Sequence, residues 1–138
     1  MKILFVCEGN MFRSQMAGIM FKSMVPSADV ATAGVLAARA GQRLATVSPT
    51  VVTLMQERGF DVSSNMITRL TPEMVEAADR VILMGAIPGG PVPEYLRSSS
   101  KLEVWNVPDP GYGQISLGDA RDVIFDKVKK LAVELGDA

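Results

Sequence analysis

The sequence predicts a doubly wound α/β domain, a single four-stranded parallel sheet with helices on both faces, spanning residues 1–138. Three observations point there. Four short apolar runs, partly β-branched, read as buried strands. Stretches with apolar residues at three- and four-residue spacing lie between and after them. Gly, Pro and Asn mark the junctions. Strands that are apolar on both faces and alternate with helices need cover on both sides, which crossover helices on a parallel sheet supply.

In chain order, Ile3 to Val6 is the first strand and Glu8-Gly9-Asn10 the turn that follows. Ser14 to Met24 is helical in pattern, with Met16, Met20 and Met24 at i, i+4 and i+8 and Pro26 as a stop. Asp29 to Ala33 is a second strand, ended by Gly34. Ser48-Pro49 reads as an N-cap followed by proline at the first helical position. Val51, Val52 and Met55 form the apolar face of that helix, and Gly59 sits past its end. Thr71-Pro72 repeats the start signal for a helix to about Ala78. Arg80 to Met84 is the third strand, Gly85 to Pro93 a loop, and Leu102 to Val107 the fourth strand. The last helix runs from about Gly118 to Leu135, with Ile124, Val128, Leu131 and Leu135 as its apolar stripe. Asp119 and Asp122 lie near its start and Lys127, Lys129 and Lys130 nearer its end, the sense the helix dipole favours.

Composition narrows the chemistry. Of 138 residues, 48% are hydrophobic and 21% charged, the balance of a water-soluble globular chain. No apolar run approaches the ~18 residues of a membrane span, and the opening residues lack the apolar region and cleavage site of a secretory signal. A net charge of −1 favours neither nucleic acid nor an anionic membrane. There is no His, which removes Ser-His-Asp and Cys-His catalysis and the commonest metal ligand. The single Cys excludes an internal disulfide and a cysteine zinc cluster. One free thiol fits a reducing compartment, so the cytoplasm is expected, with no metal and no cofactor.

The chemistry concentrates at Val6-Cys7-Glu8-Gly9-Asn10-Met11-Phe12-Arg13-Ser14. A short loop between a strand and a helix N-terminus turns backbone N–H groups inward as an anion nest. Gly9 and Asn10 are the residues that most readily take the positive φ of such a loop. Glu8, Gly9, Asn10, Met11, Phe12 and Ser14 are the expected binding residues, and the Arg13 fork binds two oxygens of a tetrahedral oxyanion. The N–H array, helix dipole and Arg13 charge favour Cys7 as thiolate, the nucleophilic form. Ser14 is placed to hydrogen-bond the sulfur. A lone cysteine is otherwise a small buried hydrophobe; the strand end, the Gly-Asn turn and the Arg-Ser ending argue for function. Asp109, between Pro108 and Pro110, lies in the loop after the fourth strand and so at the same rim of the sheet as Cys7. On local sequence it reads as a proton donor or as an ordinary turn residue.

These residues carry a family resemblance over nearly the whole chain. Val6-Cys7-x-Gly9-Asn10-x-x-Arg13-Ser14 and Trp105-x-x-Pro108-Asp109-Pro110 are its specific features. Thr32-Ala33-Gly34, Glu57 to Ser63 and Ala78-Asp79-x-Val81-Ile82 support them. The chain resembles the low-molecular-weight protein tyrosine phosphatase superfamily, which includes the related arsenate reductases. The resemblance implies that Asp109 is the general acid and that Asn10 and Thr32 support the loop. It also implies a cysteine-dependent phosphatase acting on phosphate monoesters, phosphotyrosine among them, through a Cys7 thiophosphate. The expected partner is a phosphorylated substrate or another tetrahedral oxyanion; the oligomeric state is open.

The chain also departs from the family. Phe12 stands where many members have a second loop cysteine, and Gln15 replaces the proline usual in the phosphotyrosine enzymes. Arg13-Ser-Gln-Met-Ala17 resembles the arsenate reductase branch. With one cysteine, a reductase would need an external low-molecular-weight thiol. That activity and a phosphate-binding regulatory module are the alternatives. Residues 35 to 43 hold no aromatic to sandwich a phenyl ring, and Tyr112, Arg39 and Arg43 read equally as specificity or surface residues.

Overall fold

A computed structural model describes residues 1–87 and 90–135. Its four strands are β1 (Lys2–Cys7), β2 (Asp29–Gly34), β3 (Arg80–Leu83) and β4 (Leu102–Val104), in the order β2-β1-β3-β4 and parallel throughout. The predicted fold class is the observed one. Because β2 lies on one side of β1 and β3 on the other, strand order reverses at β1. The crevice beyond the C-terminal ends of β1 and β3 is where such sheets bind ligands. Cys7 is the last residue of β1 and stands at that crevice.

The helices are α1 (Arg13–Met24), α2 (Leu44–Val47), α3 (Pro49–Gln56), α4 (Pro72–Ala77), α5 (Glu94–Arg97) and α6 (Leu117–Glu134). Alternation along β1 assigns its side chains to the two faces. Ile3, Phe5 and Cys7 join a core with Met16, Met20 and Phe21 of α1, Val51 and Met55 of α3, and Ile124, Val128 and Leu131 of α6. Leu4 and Val6 join a second core with Val75 of α4, Val81 and Leu83 of β3, and Leu96 of α5. Phe5 anchors the first core through edge-to-face contacts with Phe21, at 5.9 Å, and Trp105, at 5.7 Å between ring centroids.

Several boundaries differ from expectation. The fourth strand stops at Val104, not Val107, because Asn106 takes φ 55° and turns the chain. Trp105 and Val107 still donate to the carbonyls of Leu83 and Met84, so the segment tracks β3 toward the crevice. Thr71 caps α4 as predicted, its hydroxyl accepting from Met74 N–H. Ser48 does not cap α3: its own N–H closes α2 on Leu44 C=O. The actual cap of α6 is Ser116, which accepts from Asp119 N–H. The short helices α2 and α5 carry no sequence signal strong enough to predict them. Residues 88 and 89 of the predicted 85–93 loop lie outside the described residues.

Lys101 illustrates how the chain closes a helix end. Its ammonium donates to the carbonyls of Val75, Glu76 and Ala78 at 2.8, 2.9 and 2.7 Å, satisfying acceptors that α4 leaves open. Lys101→Met keeps the aliphatic stem and strands all three. We expect it to lower unfolding free energy by about 1–3 kcal/mol in urea titration with an unchanged m-value. An unchanged midpoint would show that water replaces the ammonium without loss.

Candidate active site

The loop after β1 takes its shape from Asn10. Asn10 alone uses positive φ there, at 57°; Gly9 does not, contrary to expectation. That turn aims the Asn10 N–H at Cys7 Sγ, 3.2 Å away, while Ser14 Oγ lies 3.0 Å from the same sulfur. The Asn10 side chain locks the turn. Its amide donates to Ser14 Oγ at 2.8 Å and to Thr32 Oγ1 at 3.0 Å, and its carbonyl accepts from Thr68 N–H at 2.8 Å. Thr32 thus braces the loop from β2, the supporting place the resemblance implied for it.

Gln15 completes this buried network. Its amide nitrogen donates to Asn10 C=O, Asn10 Oδ1 and Met66 C=O, each at 3.1 Å, and its oxygen accepts from Asn65 at 2.9 Å. Proline at this position could make none of these bonds. Gly34 lies directly beneath: a Cβ there would sit 2.8 Å from Asn10 N, Glu8 O and Gly9 C. Only a residue without a side chain lets β2 approach the loop so closely.

Arg13 opens α1 and is 2% exposed. Its guanidinium reaches across the crevice, donating to Val107 C=O at 2.8 Å, Ala86 C=O at 3.2 Å and Asp109 Oδ2 at 3.0 Å. Asp109 is also buried, and its two oxygens do different things. Oδ1 accepts from Gly111 N–H at 2.8 Å and starts a 3₁₀ turn over Pro110–Tyr112; Oδ2 faces Arg13. Its backbone N–H donates to Gln114 Oε1 at 2.9 Å. Asp109 is therefore a turn residue and a cleft residue at once.

Cys7, Glu8, Gly9, Met11, Phe12, Arg13, Asp109, Gly111 and Tyr112 line one cleft of about 320 Å³. It brings together the predicted catalytic and binding residues, except that Asn10 and Ser14 lie behind it as buried supports of the sulfur. Tyr112, which the sequence left undecided, forms part of the wall. Its hydroxyl donates to Glu8 Oε2 at 2.8 Å, and this bond is the main reason its pKa is raised, since the phenolate would lose it. Gln15, Gln114, Gly34 and Gly85 escaped sequence reasoning as site residues. Gln15 stood out only as a replaced proline, and Gln114 carries no local signal. Among the described residues no cluster of three or more His, Cys, Asp or Glu could hold a metal ion, and no helix is long and apolar enough to cross a membrane.

A cysteine at the switch point of a parallel sheet, held under a strand-to-helix loop with a buried arginine, defines a cysteine-loop α/β protein. The model for the family described as low molecular weight phosphotyrosine protein phosphatase matches residues 2–138, and the chain belongs to that family. It is 35% identical over 83 residues to a probable low molecular weight protein-tyrosine-phosphatase, EpsP, of Ralstonia solanacearum. That match takes in 60% of this chain and 54% of the relative, so it spans about half the relative's length. A Cys-to-Ser variant of the YwlE arginine phosphatase, with a phosphorylated active-site serine, superposes with TM-score 0.79 at 26% identity. The match covers 99% of this chain and 96% of that one. An arsenate reductase in its phosphate-binding state superposes with TM-score 0.76 at 27% identity over 96% and 97% of the two chains.

Proposed function

We propose that this chain, acting as one domain over residues 1–138, is a cytoplasmic cysteine-dependent phosphatase for phosphate monoesters, needing neither metal nor cofactor. The observation that carries the reading is the convergence on Cys7 Sγ of Asn10 N–H and Ser14 Oγ in a cleft walled by Arg13 and Asp109. An N–H and a hydroxyl directed at sulfur stabilise it as attacking thiolate and as leaving thiolate. The phosphorylated serine reported in the YwlE variant supports covalent transfer to this loop position.

In the first step Cys7 Sγ bonds to phosphorus as the bond to the substrate oxygen breaks, and Asp109 gives that oxygen its proton. Arg13 and the loop N–H groups hold the remaining phosphoryl oxygens. In the second step water attacks phosphorus, the P–S bond breaks and Asp109 recovers a proton from the water. The test is hydrolysis of an aryl phosphate by the reduced protein in excess chelator. Turnover is the expected result. A folded, reduced protein that turns over no aryl phosphate but oxidises a small thiol when given arsenate would replace this reading with the reductase one.

Gly85 tests the placement of Arg13 without touching it. A Cβ at this position would lie 2.4 Å from Val107 O and 2.7 Å from an Arg13 guanidinium nitrogen. Gly85→Ala should displace the guanidinium and lower kcat/KM for aryl phosphate by about 10- to 100-fold. Wild-type activity in a folded Gly85→Ala protein would mean that the Arg13 position seen here is not the working one.

A further inference from the structure

We propose that the groove from the catalytic cleft to the start of α3 is a second anion subsite, which takes a carboxylate side chain flanking the phosphorylated residue of a peptide substrate. This inference rests on the phosphatase reading and adds the substrate class. The groove, about 440 Å³, is lined by Met11, Phe12, Arg39, Ser48, Pro49 and Leu117, together with Val47 and Thr50. Met11 and Phe12 also line the catalytic cleft, so a chain leaving the phosphorylated side chain passes directly into it.

Its polar groups all suit an anion. Ser48 is 6% exposed, yet its hydroxyl caps nothing and has no hydrogen-bond partner among the described residues. A buried hydroxyl without a partner carries a desolvation cost that a ligand oxygen would remove. Beside it α3 begins with Pro49, which has no N–H, and Thr50, whose N–H is not used within the described fold. The helix start is the positive end of its dipole. Exposed Arg39 adds a full charge from the facing loop, and no lining residue is acidic. Met11, Phe12, Pro49 and Leu117 supply an apolar wall for the methylenes of a glutamate.

The experiment measures kcat/KM on a set of phosphotyrosine hexapeptides in which one Glu is walked through an Ala background. A small aryl phosphate serves as a reference that cannot reach the groove. We expect one Glu position to exceed the all-Ala peptide by about 5- to 10-fold at low salt and to lose most of that gain at 0.5 M salt. Arg39→Met with Ser48→Ala should erase the preference and leave aryl phosphate turnover unchanged. Aryl phosphate turnover with no favoured Glu position, or a preference that survives the double change, would overturn the subsite alone. If aryl phosphate is not turned over, the phosphatase reading fails separately. Binding of the same peptides to Cys7→Ser then decides the groove: a Glu preference abolished by the double change supports it, and equal affinities overturn it.

Discussion

Cys7→Ser should lower aryl phosphate turnover by at least about 10,000-fold while leaving the fold and oxyanion binding in place. A serine hydroxyl becomes a competent nucleophile only with a base beside it. The chain contains no His, and the group nearest Cys7 Sγ is the Ser14 hydroxyl at 3.0 Å, which is no base. Thiolate reactivity is therefore what the site depends on. The substitution is close to isosteric at a residue 3% exposed, so loss of activity would not reflect unfolding. Two measurements check it. Turnover should vanish, and inorganic phosphate should still raise the melting temperature of the variant, as a ligand that binds only the folded state must. Residual turnover above about 10% of wild type would assign the chemistry to another nucleophile, and the mechanism would fall.

Asp109→Asn should cost about 100- to 1,000-fold in kcat for substrates with poorly leaving alkoxides and much less for activated aryl esters. The asparagine amide can still accept from Gly111 N–H and from Arg13, so the turn and the cleft wall survive; what disappears is the proton. The diagnostic is the slope of log kcat against leaving-group pKa, which should steepen in the variant. A uniform loss across leaving groups would instead mark Asp109 as a positioning residue for Arg13. Both are buried and 3.0 Å apart, and Arg13 has otherwise only two carbonyls to receive its charge. An oxyanion entering the cleft competes with the Asp109 carboxylate for that guanidinium, which ties anion binding to the release of Asp109.

Much of this was legible along the chain because the signals are local. A strand buried on two faces must be apolar throughout, and a helix covering it must repeat its apolar residues near 3.6; both patterns survive in β1, β3, α1 and α6. The nucleophile loop was legible for the same reason, since strand end, turn residues, Arg13 and helix start fall within eight residues. Asp109 was only half legible. Pro108 and Pro110 showed that it lies in a turn, but its partner Arg13 is 96 residues away.

What tertiary structure alone decided are the pairings across the crevice. The order β2-β1-β3-β4 brings Val107, Ala86 and Asp109 onto the guanidinium and Tyr112 onto Glu8, 104 residues apart. Gln15 had to meet Asn65 and Met66 before it could brace Asn10. Gly85 and Gly34 acquire their roles only where two backbones approach within reach of an absent Cβ. Ser48 reads as a helix cap in sequence, and only the close of α2 against it leaves its hydroxyl facing the groove. Periodicity and loop composition encode which faces are buried and where an anion can sit. They carry no record of which distant groups satisfy one another, because hydrogen-bond partners are chosen by the packing of the whole fold.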